Sequence, residues 1–171
     1  MATINFKRGD IFKQGINHYD LCILYGHDGM AFGHGLHQMI EDYAPMRTLE
    51  RPFEENPNEL IFYEENRALV LVPKDYMSDK ELEKNLNHWL TTSDKQNFSS
   101  IALTGVRNSV KTNLNAEEGA KNDDQRVAFI VCFLQKWLIE HRNKTGIKDI
   151  MLIAMSDNFT RNFSKPIIIG E

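Results

Sequence analysis

Cysteine is scarce in this chain, with two residues in 171, so no disulfide framework holds it together. Cys22 and Cys132 each fall inside an apolar run and read as core thiols in a reducing compartment. Long apolar runs are missing: no window approaches the about 18 residues of a membrane-spanning helix, and no membrane contact is expected. The opening residues MATINFKRGD carry no apolar segment of the kind that directs secretion, which predicts a cytoplasmic or nucleocytoplasmic protein. The Asn-x-Ser/Thr triplets at Asn97, Asn143, Asn158 and Asn162 are then chance occurrences. An excess of positive charge is also lacking. Twenty Lys and Arg against 24 Asp and Glu leave a net charge of −4, which argues against nonspecific binding to nucleic acid. Internal repeats and low-complexity tracts are absent. The size and the 42% hydrophobic content predict a single domain over residues 1–171 with a core of its own.

What the chain does have is a strand, a glycine-rich turn and a helix in immediate succession. Leu21 to Tyr25 is a short apolar run suited to a strand covered on both faces. Gly26, Gly29, Gly33 and Gly35 follow, and then Leu36, Met39, Ile40 and Tyr43 repeat at helical spacing until Pro45. Such a junction gathers backbone N–H groups at a positive helix end, where glycine lets a phosphate come close. A plain flexible turn has the same composition. No Gly-Lys-Ser/Thr is present, and Gly33-His34-Gly35 lacks the third glycine of a dinucleotide fingerprint.

The rest of the chain alternates strands and helices. Thr3 to Lys7 reads as a half-exposed edge strand, and Leu60–Tyr63 with Ala68–Val72 as a hairpin. Ser78 and Glu81 make a capping box before a helix whose buried stripe is Leu82, Leu86, Trp89 and Leu90. Ser100 to Val106 is a buried strand. Arg107 to Asp124 reads as a long polar segment, with Asn122, Asp123 or Asp124 capping a helix whose apolar face is Val127, Ile130, Val131, Leu134, Trp137 and Leu138. Asp149 to Met155 is the last main strand, and the tail from Ser164 offers a short edge strand. This order predicts an α/β fold of three layers, α/β/α. Its sheet is mixed but largely parallel, of about six strands, with helices on both faces. In such sheets ligands bind outside the carboxyl ends of the strands, which brings together Asp10–Ile11, Gly26–Gly35, Thr104–Ser109 and Asp157–Phe159.

Several short motifs, in order and at matching intervals, resemble the macrodomain family, the ADP-ribose-binding module. Lys7-Arg8-Gly9-Asp10-Ile11-Phe12 resembles the family's first strand and its Gly-Asp-Ile/Leu. Asp20 opens the second strand, Phe32-Gly33-His34-Gly35-Leu36 resembles the element that begins the first long helix, and Tyr43-Ala44-Pro45 resembles the end of that helix. The interval from Asp20 to Gly33 is similar to that of the branch that removes terminal ADP-ribose from carboxylate side chains. The resemblance implies that Asp10 accepts a hydrogen bond from the adenine amino group. It also implies that Ile11, Gly26, Asp28, Phe32, Gly33, His34, Gly35, Leu36, Gly105, Arg107, Asn108, Asp157, Asn158 and Phe159 line the ligand site.

For chemistry, the same branch has a lysine after the hairpin strand that attacks C1″, and Lys74 stands at the matching place. The aspartate that assists it is missing: Leu103 to Val110 holds no carboxylate and lacks two of the loop's glycines. Arg107 or Asn108 would still hold a phosphate. A rebuilt site would draw on His27, Asp28 or His34, since histidine titrates near neutral pH. His27, His34 and His37 form only a weak zinc pattern, so no metal is assigned, and no cofactor is expected.

Three functions follow as expectations. One is a module that binds ADP-ribose, or a cyclic or conjugated ADP-ribose signal, without turnover. Another is a hydrolase of ADP-ribosylated protein or nucleic acid, or a phosphatase acting on ADP-ribose 1″-phosphate. The third is a protein-interaction module on the same scaffold. The departures from the family pattern suit a viral origin, which would place the protein in host cytoplasm; oligomeric state is left open.

Overall fold

The computed structural model describes residues 1–9, 18–25, 56–72, 78–104, 116–154 and 163–170. They form strands β1 (Ala2–Arg8), β2 (Leu21–Tyr25), β3 (Leu60–Glu64), β4 (Arg67–Val72), β5 (Ser100–Thr104), β6 (Asp149–Ala154) and β7 (Ile167–Ile169). Two helices accompany them, α1 (Asp79–Lys95) and α2 (Ala116–Glu140). The strands make one sheet in the order β3-β4-β2-β5-β6-β1-β7. Strands β4, β2, β5, β6 and β1 run parallel, and β3 and β7 are antiparallel at the two edges.

Both faces of the central strands are dry, which is why β2, β4 and β5 are near-continuous apolar runs rather than alternating ones. Leu21, Ile23, Val70, Ile101, Leu103, Ile150 and Leu152 join one core with Leu82, Leu86 and Trp89 of α1 and Val127, Ile130 and Leu134 of α2. The alternate residues Cys22, Leu24, Leu69, Leu71, Ala102 and Ile153 point to the other face and are also buried. A sheet covered on both sides is the middle layer of a three-layer α/β/α fold.

Helix α1 forms where the sequence predicts. The Ser78 hydroxyl accepts a hydrogen bond from the Glu81 N–H at 3.2 Å, and Asp79 and Glu81 sit in the positive first turn. Trp89 is a core residue whose indole N–H donates to the Asn58 carbonyl at 2.9 Å, tying the helix to the turn before β3. Just past the helix, Asn97 takes the left-handed conformation (φ 59°) that asparagine tolerates.

The short edge strand that the tail offers forms as Ile167–Ile169, pairs with β1 and completes a mixed, largely parallel sheet of seven strands. Three expectations need correction. Because of that pairing β1 lies inside the sheet and is not an edge strand; its polar residues reflect the modest cover near that side. Helix α2 starts at Ala116, before the residues expected to cap it. Ala116, Glu117, Glu118, Ala120 and Lys121 favour helix, with two acids in the first turn, and together they outweigh Gly119. Finally, only Cys22 is a core thiol. Cys132 is exposed, because it falls on the side of α2 opposite the buried stripe.

The amino edge of the sheet is held by side-chain hydrogen bonds. Asp20 Oδ2 accepts from the Ser99 N–H (2.8 Å), the Ser99 hydroxyl (3.1 Å) and the Ser100 N–H (3.3 Å). The Ser100 hydroxyl accepts from the Asp20 N–H at 3.0 Å, so β2 and β5 are latched where both begin. Nearby, Asp94 Oδ1 accepts from the Thr145 hydroxyl (2.7 Å) and the Gly146 N–H (3.1 Å), joining the end of α1 to the turn after α2. His141 stacks on Trp137 with ring centroids 4.0 Å apart. Its Nδ1 meets the Trp137 carbonyl at 2.8 Å, an oxygen that also accepts the His141 N–H at 3.0 Å.

Candidate functional site

The five parallel strands all finish on the edge opposite this latch. Arg8 of β1 is level with Ala154 of β6, Thr104 of β5 with Ile153, and Tyr25 of β2 with Val72 of β4. Neighbouring ends are about 4.8 Å apart. From β2 the chain travels on to β3 at one side of the sheet, and from β5 to β6 on the other. The β2/β5 boundary is therefore a topological switch point, where an open α/β sheet leaves a crevice. Gly26 and Gly105 directly follow those two strand ends in the chain.

The residues singled out from the sequence are distributed around this edge by chain connectivity. Asp10 and Ile11 come after β1; Gly26, His27, Asp28, Phe32, Gly33, His34, Gly35 and Leu36 after β2. Lys74 comes after β4; Gly105, Arg107 and Asn108 after β5; Asp157, Asn158 and Phe159 after β6. All of these, with His37, lie outside the described residues. What the structure supplies is the frame: the strands preceding all five segments end side by side. Among the described residues no group of three or more His, Cys, Asp or Glu side chains is placed to hold a metal ion. Nor is any described helix long and apolar enough to cross a membrane.

Helix α2 adds a wall to this edge that sequence reasoning missed. It joins the carboxyl end of β5 to the amino end of the parallel β6 and so returns antiparallel to both; among the residues whose burial is described, the first buried ones are Arg126 and Val127. The ten residues before Arg126 span about 15 Å of helix, which carries them past the strand ends. Arg126 is 8% exposed, and its guanidinium meets Asp79 of α1 at 2.7 Å. Because Asp79 opens the helix that follows β4, this contact fixes the level of α2 against the carboxyl edge.

Arg126 marks one rim of the buried face of α2, the rim toward α1. Asp124 is about 160° around the helix, on the other rim. One Asp124 oxygen, Oδ1, is buried and has no hydrogen-bond partner. The spacing of Asp124 to Val127, Val131 and Leu138 (i, i+3, i+7, i+14) was visible in the sequence as the apolar stripe continued by an acid, a signal masked by its resemblance to a helix cap.

Burial pushes the Cys22 thiol far above its ordinary value and keeps it neutral. Tyr19, just before β2, is also raised, first by burial and then by Cys22 and Asp149 nearby. Both belong to the sheet interior and its amino edge, away from the crevice.

An open α/β sheet with a crevice at its carboxyl edge defines a class of small-ligand-binding folds. No protein-family model matches the chain, and no curated protein matches it. Solved structures do. A Trypanosoma brucei macrodomain in complex with ADP-ribose is 14% identical with a TM-score of 0.57, the match covering 92% of this chain and 66% of that one. An Oceanobacillus iheyensis macrodomain mutant with ADP-ribose is 14% identical with a TM-score of 0.54, covering 93% and 89%. A tomato leucine aminopeptidase mutant is 12% identical with a TM-score of 0.55, covering 91% of this chain but spanning 33% of the aminopeptidase. The chain thus has a macrodomain-like α/β fold. Chains named for different functions share that fold, so function has to be argued from the site.

Proposed function

We propose that this chain binds ADP-ribose, or a nucleotide derived from it, in the crevice at the carboxyl edge of its sheet, as a single domain. The observation that carries the reading is the parallel block β4-β2-β5-β6-β1. It aligns the strand ends that precede Asp10, the Gly26–Gly35 segment, Gly105–Asn108 and Asp157–Phe159, the segments that the macrodomain resemblance assigns to the ligand. An extended ADP-ribose needs such a length of edge: from β1 to β4 is four strand spacings, about 19 Å. Asp10 would receive the adenine amino group and the glycine segment the diphosphate.

Binding without turnover is favoured by the second loop, where Leu103 to Val110 has no carboxylate to assist hydrolysis. A hydrolase reading keeps one specific support. Lys74 follows the end of β4, the immediate neighbour of β2, by two residues in the chain.

Calorimetry with ADP-ribose on the wild type and on Asp10→Ala tests the binding reading. Heat in the wild type that is lost in the variant supports it. No heat with the wild type rejects it in favour of an interaction module. Turnover assays with ADP-ribosylated protein, ADP-ribosylated nucleic acid and ADP-ribose 1″-phosphate then decide between binder and enzyme. If any substrate turns over, loss of turnover in Lys74→Ala with binding intact assigns the attack to the lysine.

A further inference from the structure

We infer that Asp124 is a ligand-contacting carboxylate, recognising an N–H or O–H donor on the adenosine end of the nucleotide; this rests on the ADP-ribose reading above. The argument begins with its position. Leu138 of α2 shares a small cleft with Ala2 of β1 and Ile169 of β7, which brings the end of α2 beside the beginning of β1. Fourteen residues back along the helix, at 1.5 Å each, Asp124 is about 21 Å away. From Ala2 to Arg8, the carboxyl end of β1, is six strand steps, about 20 Å. Asp124 therefore comes level with the end of β1, where the chain continues into Gly9 and Asp10.

The flank agrees with the level. Arg126 faces α1 through its bond to Asp79. The opposite rim, which carries Asp124, is the Leu138 side and faces β1 and β7. On the same face of the sheet Phe6 of β1 stacks on Phe163, with ring centroids 5.4 Å apart, and both rings are only partly buried. A carboxylate and an aromatic pair thus meet the carboxyl half of β1, a combination that suits a nucleoside: an acceptor for its donors and an apolar surface for its base.

The state of the carboxylate points the same way. Buried polar atoms in folded proteins nearly always have partners, and an unpaired one is costly. Among the described residues Asp124 Oδ1 is the one carboxylate oxygen that is buried and has none, whereas the side chain as a whole is half-buried. Rotation about χ2 exchanges the two oxygens, so the group can turn onto a donor that enters the crevice. No donor among the described residues accounts for an acid there. At i−3 from Val127 on the edge of the apolar stripe, a leucine would serve packing better.

The test compares wild type with Asp124→Leu by calorimetry and thermal melting, using ADP-ribose, ADP and IDP as probes. The expected result is a loss of affinity of roughly tenfold or more for ADP-ribose and for ADP alike, with a melting temperature that is unchanged or raised. If the loss persists with IDP, which lacks the amino group, the donor is a ribose hydroxyl; if it disappears with IDP, the donor is the base amino group. Unchanged affinity in a folded Asp124→Leu overturns the inference and leaves the ADP-ribose reading standing. A loss confined to ADP-ribose and absent for ADP overturns the placement at the adenosine end. No binding of ADP-ribose by the wild type overturns both readings. Should the leucine variant not fold, Asp124→Ala carries the same comparison.

Discussion

Removing the Asp20 carboxylate should destabilise the protein without touching ligand binding. Asp20 Oδ2 accepts from three donors, two on Ser99 and one on Ser100, at 2.8 to 3.3 Å. Hydrogen bonds to a charged acceptor contribute about 1.5–3 kcal/mol each when buried. This site is part-buried to exposed, and water can replace the lost acceptor at Ser99. A total of about 2 kcal/mol for Asp20→Ala is the reasoned value, well below the sum of three. For a domain of this size each kcal/mol moves the melting temperature by about 2–4 °C, so the drop should be about 4–8 °C. Urea denaturation followed by far-UV circular dichroism gives the free energy directly. Asp20→Asn keeps one oxygen acceptor without the charge and should lose roughly half as much. The latch is at the amino edge of β2 and β5, and the crevice is at their carboxyl edge, so ADP-ribose affinity in Asp20→Ala should equal that of the wild type. A loss under about 0.5 kcal/mol would refute the claim that the latch holds the two strands. A normal stability with lost affinity would refute the separation of the two edges.

Two further predictions use side chains away from the latch. A thiol reagent should modify one cysteine of the native protein quickly, Cys132, and reach Cys22 only after unfolding, so Cys132→Ser should abolish the native reaction. Because burial raises the Cys22 pKa, the folded state keeps a proton that the unfolded chain releases above about pH 8.5. Its contribution is therefore fully present below that pH and is lost as pH rises, and Cys22→Ala should show a flatter urea midpoint between pH 8 and 10. Arg126 and Asp79 should be unequal partners: Asp79 is 73% exposed and its removal should cost under about 1 kcal/mol. Arg126→Ala should cost clearly more, since its buried stem is lost as well, and equal losses in chemical denaturation would contradict this.

The strands and helices were readable because their signals are local. The Ser78 box, the Leu82-Leu86-Trp89-Leu90 stripe and the hairpin of Leu60–Tyr63 with Ala68–Val72 need only neighbouring residues, and all three formed, the strands of the hairpin each one residue longer at the turn. Pairing is not local. Nothing within Thr3 to Lys7 tells that Ile167–Ile169 will close over its free side, so β1 read as an edge. The start of α2 was missed because Asn122, Asp123 and Asp124 look like caps, while the helix is nucleated upstream by Ala116 to Glu118 and carried through them by the packing from Val127 onward. Asp20 shows the same limit from the other side. The sequence marked it as part of a family pattern, but its partners Ser99 and Ser100 are 79 and 80 residues away, and only the fold reveals that it is a latch. For the candidate site, connectivity and strand direction were enough to choose the edge; the described residues fix that edge and leave the roles of Asp10, Lys74 and the glycine segments to the binding experiments.

The two edges of the sheet divide the work of the molecule, and the division follows from strand direction. At the amino edge, polar side chains are spent on each other: Asp20 on Ser99 and Ser100, Asp94 on Thr145 and Gly146, His141 on the end of α2. Acceptors there meet donors of the same chain, which fixes the strand register and anchors both helices. At the carboxyl edge the described polar groups are arranged differently. Arg126 and Asp79 satisfy each other and set the spacing of α1 and α2, whereas among the described residues the Asp124 oxygen has no partner, as the buried Trp137 indole N–H near the amino edge has none. Stability and recognition can then change separately, which is why the Asp20 and Asp124 variants should move in opposite directions: the first toward lower stability at constant affinity, the second toward lower affinity at constant or higher stability.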